Sequence, residues 1–105
     1  MNVKIKENSR WAKWAARKLG AATMAITFGK TVHLHNTSRA QFLKNTTWVR
    51  HEIAHVHQYR RYGFLRFIAV YIWESMRRGY YNNKLEQEAR AAESDSEILN
   101  NVTFR

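Results

Sequence analysis

His51, Glu52 and His55 form the pattern His-Glu-x-x-His, a spacing suited to metal chemistry. Residues four apart on an α-helix stand one turn above each other on the same face. His51 and His55 can therefore both direct an imidazole nitrogen at one ion, with Zn2+ the expected one. Glu52 lies beside that face, where a carboxylate can take a proton from water polarised by the metal and so activate it towards a peptide carbonyl. The bland reading of the same five residues is a surface helix whose histidines are exposed or satisfied by hydrogen bonds. A third ligand separates the two readings.

Asn83-Lys84-Leu85-Glu86-Gln87-Glu88-Ala89-Arg90-Ala91-Ala92-Glu93 opens the last helical segment. Its small residues allow a close approach between helices, and Glu86 follows His55 by 86 − 55 = 31 residues. That is room for one intervening helix and its return turn. Asn83 and Glu86 also fit a capping box, in which Glu86 serves only backbone N–H groups. Beside a His-Glu-x-x-His helix we read Glu86 as the third ligand. Glu88 is the fallback; it sits about 200° round the helix from Glu86, so only one of the two can face the metal.

Composition narrows the chemistry further. The 105 residues have no cysteine, which excludes disulfides, thiolate metal sites and cysteine nucleophiles and fits a reducing compartment, so the cytoplasm is expected. Proline is absent too, which favours uninterrupted helices. Apolar residues make up 45% of the chain, enough for one packed domain spanning residues 1–105, with its metal-site core at about 23–93. Eighteen Lys and Arg against eight Asp and Glu give a formal charge of +10. Such a surface attracts polyanions weakly, and the spread of the charge along the chain suits a solvated basic surface better than a dedicated nucleic-acid site. No signal peptide or transmembrane segment is expected: the apolar run Phe64–Trp73 is short and carries Arg66.

The elements that must position these residues read as α+β, mostly helical. Ser9 caps an N-terminal helix whose Trp11, Trp14, Ala15 and Leu19 are expected to cover the core, although a basic face with tryptophans also suits a membrane surface. Met24–Phe28 and Thr31–His35 form a β-hairpin around Gly29-Lys30, with Gly first in a type II′ turn. Val32 and Leu34 point one way, and Thr31, His33 and His35 the other. An edge strand beside the motif helix can take up an extended peptide through its backbone. Arg39–Leu43 is a short helical turn. Thr46 or Thr47 is expected to cap the motif helix, and Gly63 to stop it. Phe64 to about Arg77 is apolar nearly all round and is expected at the centre of the core. Gly79 ends it, a last helix runs from Lys84 to Leu99, and Asn100–Arg105 carries no signal.

The middle and last helices resemble zincin metallopeptidases of the gluzincin type, whose third ligand is a glutamate on a later helix. In several such families that glutamate opens Glu-x-x-Ala-Asp; here the match is Glu86-Gln87-Glu88-Ala89, with Arg90 in place of the acid. The longer run His-Glu-x-x-His-x-x-Gln, His51 to Gln58, is similar to the small metallopeptidase domain associated with extracellular contractile injection systems and to short bacterial zincin-like proteins. The resemblance covers roughly Thr23 to Ala92. It implies a zinc-dependent hydrolase of peptide or protein substrates, with His51, His55 and Glu86 on the metal and Glu52 as general base. Arg90 departs from the family acid, which often orients neighbouring groups. Tyr80, Tyr81, His33 and His57 are the candidate donors to a developing oxyanion. Two other classes compete: an inert metal-holding interaction module, since the chain is small and shows no second lobe, and a basic nucleic-acid-binding helical domain.

Overall fold

Five helices and a four-stranded sheet make up the chain, which a computed structural model describes from residue 1 to residue 105. The elements are β1 (Asn2–Lys6), α1 (Arg10–Leu19), β2 (Met24–Phe28), β3 (Thr31–His35), α2 (Arg39–Lys44), α3 (Thr46–Tyr62), α4 (Phe64–Asn82), α5 (Lys84–Ala92) and β4 (Thr103–Phe104). The architecture is α+β and mostly helical, as expected.

The sheet order is β2-β3-β1-β4. The hairpin pairs β2 and β3 antiparallel with Ile26 opposite His33, and Gly29 has φ 61° while no positive φ falls on Lys30, in keeping with a type II′ turn. β1 runs parallel to β3, with Ile5 opposite Val32, and β4 runs parallel to β1. Neither β1 nor β4 was expected. β1 buries Val3 between exposed Asn2 and Lys4, so one apolar residue anchors a strand that otherwise looks polar. β4 is two residues long, below what periodicity can reveal.

The main core joins Val3, Val32 and Leu34 of the sheet to Phe42, Val49, Ile53 and Val56 of α2 and α3. A capping box between Ser38 and Gln41 starts α2. Asn45, rather than Thr46 or Thr47, caps α3 by accepting the Trp48 N–H at 3.1 Å. Asn is as good an acceptor there as Thr, and α2 ends beside it. A second cluster, Tyr59, Phe67 and Leu85, joins α3, α4 and α5.

Two helices depart from expectation. α1 buries Ala12, Ala15 and Ala16 and leaves Trp11 and Trp14 63% and 61% exposed. The alanines let its backbone come close to the hairpin, which turns the larger side chains outward. α4 is peripheral rather than central, with only Phe67 and Glu74 buried. Its inner face stacks on α3, and no layer covers the opposite face.

Gly63 (φ 86°, ψ 157°) and Gly79 (φ 81°, ψ 165°) bracket the regular part of α4. This backbone region is essentially closed to residues with a Cβ. A Cβ at Gly79 would meet nothing within 4 Å, so strain alone decides the outcome. Gly79→Ala is expected to cost about 1–3 kcal/mol, read as a lower urea midpoint at constant m. An unchanged midpoint would show that the break does not need glycine.

α5 stops at Ala92, short of the expected Leu99. Asp95 accepts the Glu97 N–H at 2.9 Å, and turns carry the chain on to β4.

Candidate metal centre

α3 and α5 lie side by side and bring His51, His55 and Glu86 together. One ligand atom from each lies within 4.8 Å of the others. The Nε2 atoms of His51 and His55 stand 3.0 and 3.2 Å from the same oxygen, Glu86 Oε1. Asn83 caps α5 by accepting the Leu85 N–H at 2.8 Å, and the Glu86 carboxylate turns to the histidines instead of completing a capping box. Glu88 lies outside the cluster, bonded to Arg61 and Gln58.

The other polar atoms of the three side chains are already committed. His51 Nδ1 meets Glu93 Oε2 at 2.8 Å, and His55 Nδ1 meets Gln58 Oε1 at 2.8 Å. The Gln58 amide is fixed because its nitrogen donates to the Leu85 carbonyl at 3.0 Å and to Glu88 at 3.2 Å. With Nδ1 as donor in both imidazoles, both Nε2 lone pairs face a carboxylate oxygen. Three acceptors that close require positive charge between them, either protons or a cation. The donor set therefore fits a metal ion, and its residues are positioned to hold one.

The electrostatics agree. Burial lowers the His51 pKa, but the hydrogen bond to Glu86, the charge of Glu52 and the hydrogen bond to Glu93 outweigh it and raise it to about 9. His55 is raised by the same balance, burial opposed by Glu86 and Glu52. For Glu86, burial pushes upward, but the hydrogen bonds to His51, His55 and Tyr71 hold it well below the usual carboxylate range. Tyr71 Oη donates to Glu86 Oε2 at 2.5 Å. Glu52 is 4% exposed, and burial lifts its pKa against the pull of both histidines and of Thr27. Thr27 Oγ1 donates to Glu52 Oε1 at 2.9 Å, so the edge strand β2 holds this carboxylate in place.

His51, Glu52, His55 and Glu86 open together on a cavity of about 420 Å³. β2 runs along it, with Trp14 and Leu19 of α1 on one side and Ile68 and Ile72 of α4 on the other. Of the four candidate oxyanion donors, Tyr80 lines this cavity and the others do not. Tyr81 is exposed under Arg90, and His33 is bonded to Ser9 at 2.8 Å. His57 lines neither this cavity nor a neighbouring polar hollow that shares His51, Glu52 and Tyr80.

Four residues around the donors went unassigned at the level of sequence: Thr27, Gln58, Tyr71 and Glu93. Gln58 and Glu93 had a signal, three residues after His55 and two helical turns after Glu86. Glu93, three residues beyond Arg90, bonds the outer nitrogen of His51, and Arg50 Nη1 pins that end of α5 through the Glu93 carbonyl at 3.1 Å. Orienting groups of this kind tune metal affinity by about 10–100-fold. Glu93→Ala and Gln58→Ala are each expected to weaken metal binding within that range, measured by competition with a chromophoric chelator. Affinity equal to that of the parent in both would mean that the ring nitrogens need no outside partner.

A helix with His-Glu-x-x-His, a glutamate arriving from a later helix and an edge strand alongside define a small α+β domain built around a cluster positioned to hold a metal ion. Residues 1–63 match the family model of the eCIS core domain. The chain belongs to that family. The match takes in β1 and α1, upstream of the resemblance drawn at Thr23, and ends at Gly63, so it contains His51, Glu52 and His55 but not Glu86. No curated protein and no solved structure matches the chain.

Proposed function

We propose that the domain is a zinc-dependent peptide hydrolase in which His51, His55 and Glu86 hold the metal and Glu52 is the general base. The position of Glu52 carries this reading: a buried carboxylate, tethered by Thr27, opens on the same cavity as three convergent donors. A bound Zn2+ supplies Lewis acidity, polarising both a water and a carbonyl oxygen near it. Glu52, made more basic by burial, takes the proton of the attacking water. The water oxygen bonds to the carbonyl carbon, the carbon–nitrogen bond breaks, and Glu52 returns the proton to the leaving nitrogen. Tyr80, which lines the cavity, is the donor to the developing charge. Burial and the nearby Glu86 and Glu52 raise its pKa to about 12, so it stays a donor at neutral pH. The outer edge of β2 has free backbone groups to align an extended peptide beside these residues.

The test is to load the protein with zinc and incubate it with a mixture of unstructured peptides, reading new termini by mass spectrometry. New termini that a zinc-loaded Glu52→Gln sample does not produce support hydrolysis. Zinc bound at stoichiometry without new termini would leave a metal-holding interaction module.

A further inference from the structure

The fold leaves ten large apolar side chains exposed, and all ten lie on α1 or α4. Leu65 and Met76 are the extremes, at 81% and 79%, and Trp11, Trp14 and Trp73 are close behind. Scattered exposed apolar residues are ordinary, but a set confined to the two helices that flank one cleft marks an interaction face. Cations are interleaved with them: Lys13, Arg17 and Lys18 on α1, and Arg66 and Arg77 on α4, all exposed. α1 contains no acid, and the one acid of α4, Glu74, is buried, accepts the Lys84 N–H at 3.0 Å and pairs with Arg78 at 3.6 Å, which leaves Arg66 and Arg77 without an acid on their own helix. The outward surface of both helices is therefore apolar and cationic.

We infer that α1 and α4 together dock the protein on the surface of an anionic lipid bilayer, with the mouth of the cavity turned towards it. Charge selects the occupant. A second copy would set cations against cations, whereas lipid phosphates neutralise them, each Lys or Arg raising partition by about fivefold at low salt. The breadth of the face points the same way. Trp11 and Trp73 lie outside the cavity lining, so the apolar surface continues beyond the rim that a bound peptide would cover. Indole side chains beside cations match the headgroup region, where an apolar ring and a polar N–H are both accommodated. No helix is long and apolar enough to cross a membrane, so the helices lie on the surface.

Flotation of the full chain with vesicles of equal parts phosphatidylcholine and phosphatidylglycerol, beside phosphatidylcholine alone, tests this. The protein is expected to float with the mixed vesicles, with its tryptophan emission moved to shorter wavelength. Trp14→Ser with Trp73→Ser should reduce the bound fraction by about tenfold or more. Should that pair disturb folding by circular dichroism, Trp73→Ser with Met76→Ser on the outer side of α4 carries the same expectation. Absence of flotation with the mixed vesicles overturns the inference. So does flotation undiminished in a folded variant, which would mean adsorption through the general positive charge. Saturable binding of an acidic amphipathic peptide by a protein that does not float would overturn it in favour of a protein partner.

Discussion

Glu86→Ala is expected to lower zinc affinity by about two to three decades. Structural zinc sites with four ligands are worth about 10–16 kcal/mol in all, so one ligand accounts for about 2.5–4 kcal/mol. The variant is expected to lose stability as well, by about 3–5 kcal/mol, because Glu86 is the shared hydrogen-bond partner of His51, His55 and Tyr71. Those groups are half-buried or buried, and removing their partner leaves them facing each other. Chelator competition reads the first effect and urea unfolding the second. Zinc affinity equal to that of the parent would remove Glu86 from the ligand set. His51→Ala, measured beside it, should show an affinity loss of similar size, since each variant removes one donor.

Glu52→Gln is expected to separate binding from turnover. The amide oxygen can still accept the Thr27 hydroxyl bond, so the shape of the site is retained. It cannot take a proton at neutral pH. Loss of a positioned general base lowers kcat by about 10²–10⁴-fold, while zinc content by elemental mass spectrometry should stay at the parent value. A variant with full activity would end the assignment of Glu52 as base. Loss of zinc together with activity would show instead that Glu52 supports the metal.

Much of the site was legible because helical spacing is a local property. The pairing of His51 with His55 follows from a four-residue interval, and the arrival of Glu86 from the room that α4 needs to go out and return. Gly79 likewise announced the break before Tyr80. Of the orienting residues, Gln58 is only three positions from His55, but Thr27 and Glu93 were harder to find because their partners are distant in sequence: 25 residues separate Thr27 from Glu52, and 42 separate His51 from Glu93. The two helices that were misjudged share one cause. Periodicity finds an apolar face but does not say which apolar residues meet the core. In α1 the small alanines won that place because a close helix–sheet approach excludes indole. In α4 an all-round apolar pattern stood for two surfaces, a face of Phe67 and Tyr71 stacked inward and a face turned out. β4 escaped because two residues joined to a strand a hundred positions away have no pattern of their own.

The sheet also bears on how the protein avoids sticking to itself. An unpaired strand edge is a template on which another chain can add, and many β-containing proteins guard it with charge, brevity or a cover. Here one outer strand, β4, is two residues long, too short to recruit a neighbour with any strength. The other, β2, lies along the cavity between α1 and α4 instead of on an open flank. A folded copy of the protein cannot bring its own sheet to that edge without passing those two helices. A single extended strand is narrow enough to do so, and the recess thereby distinguishes loose chain from finished structure.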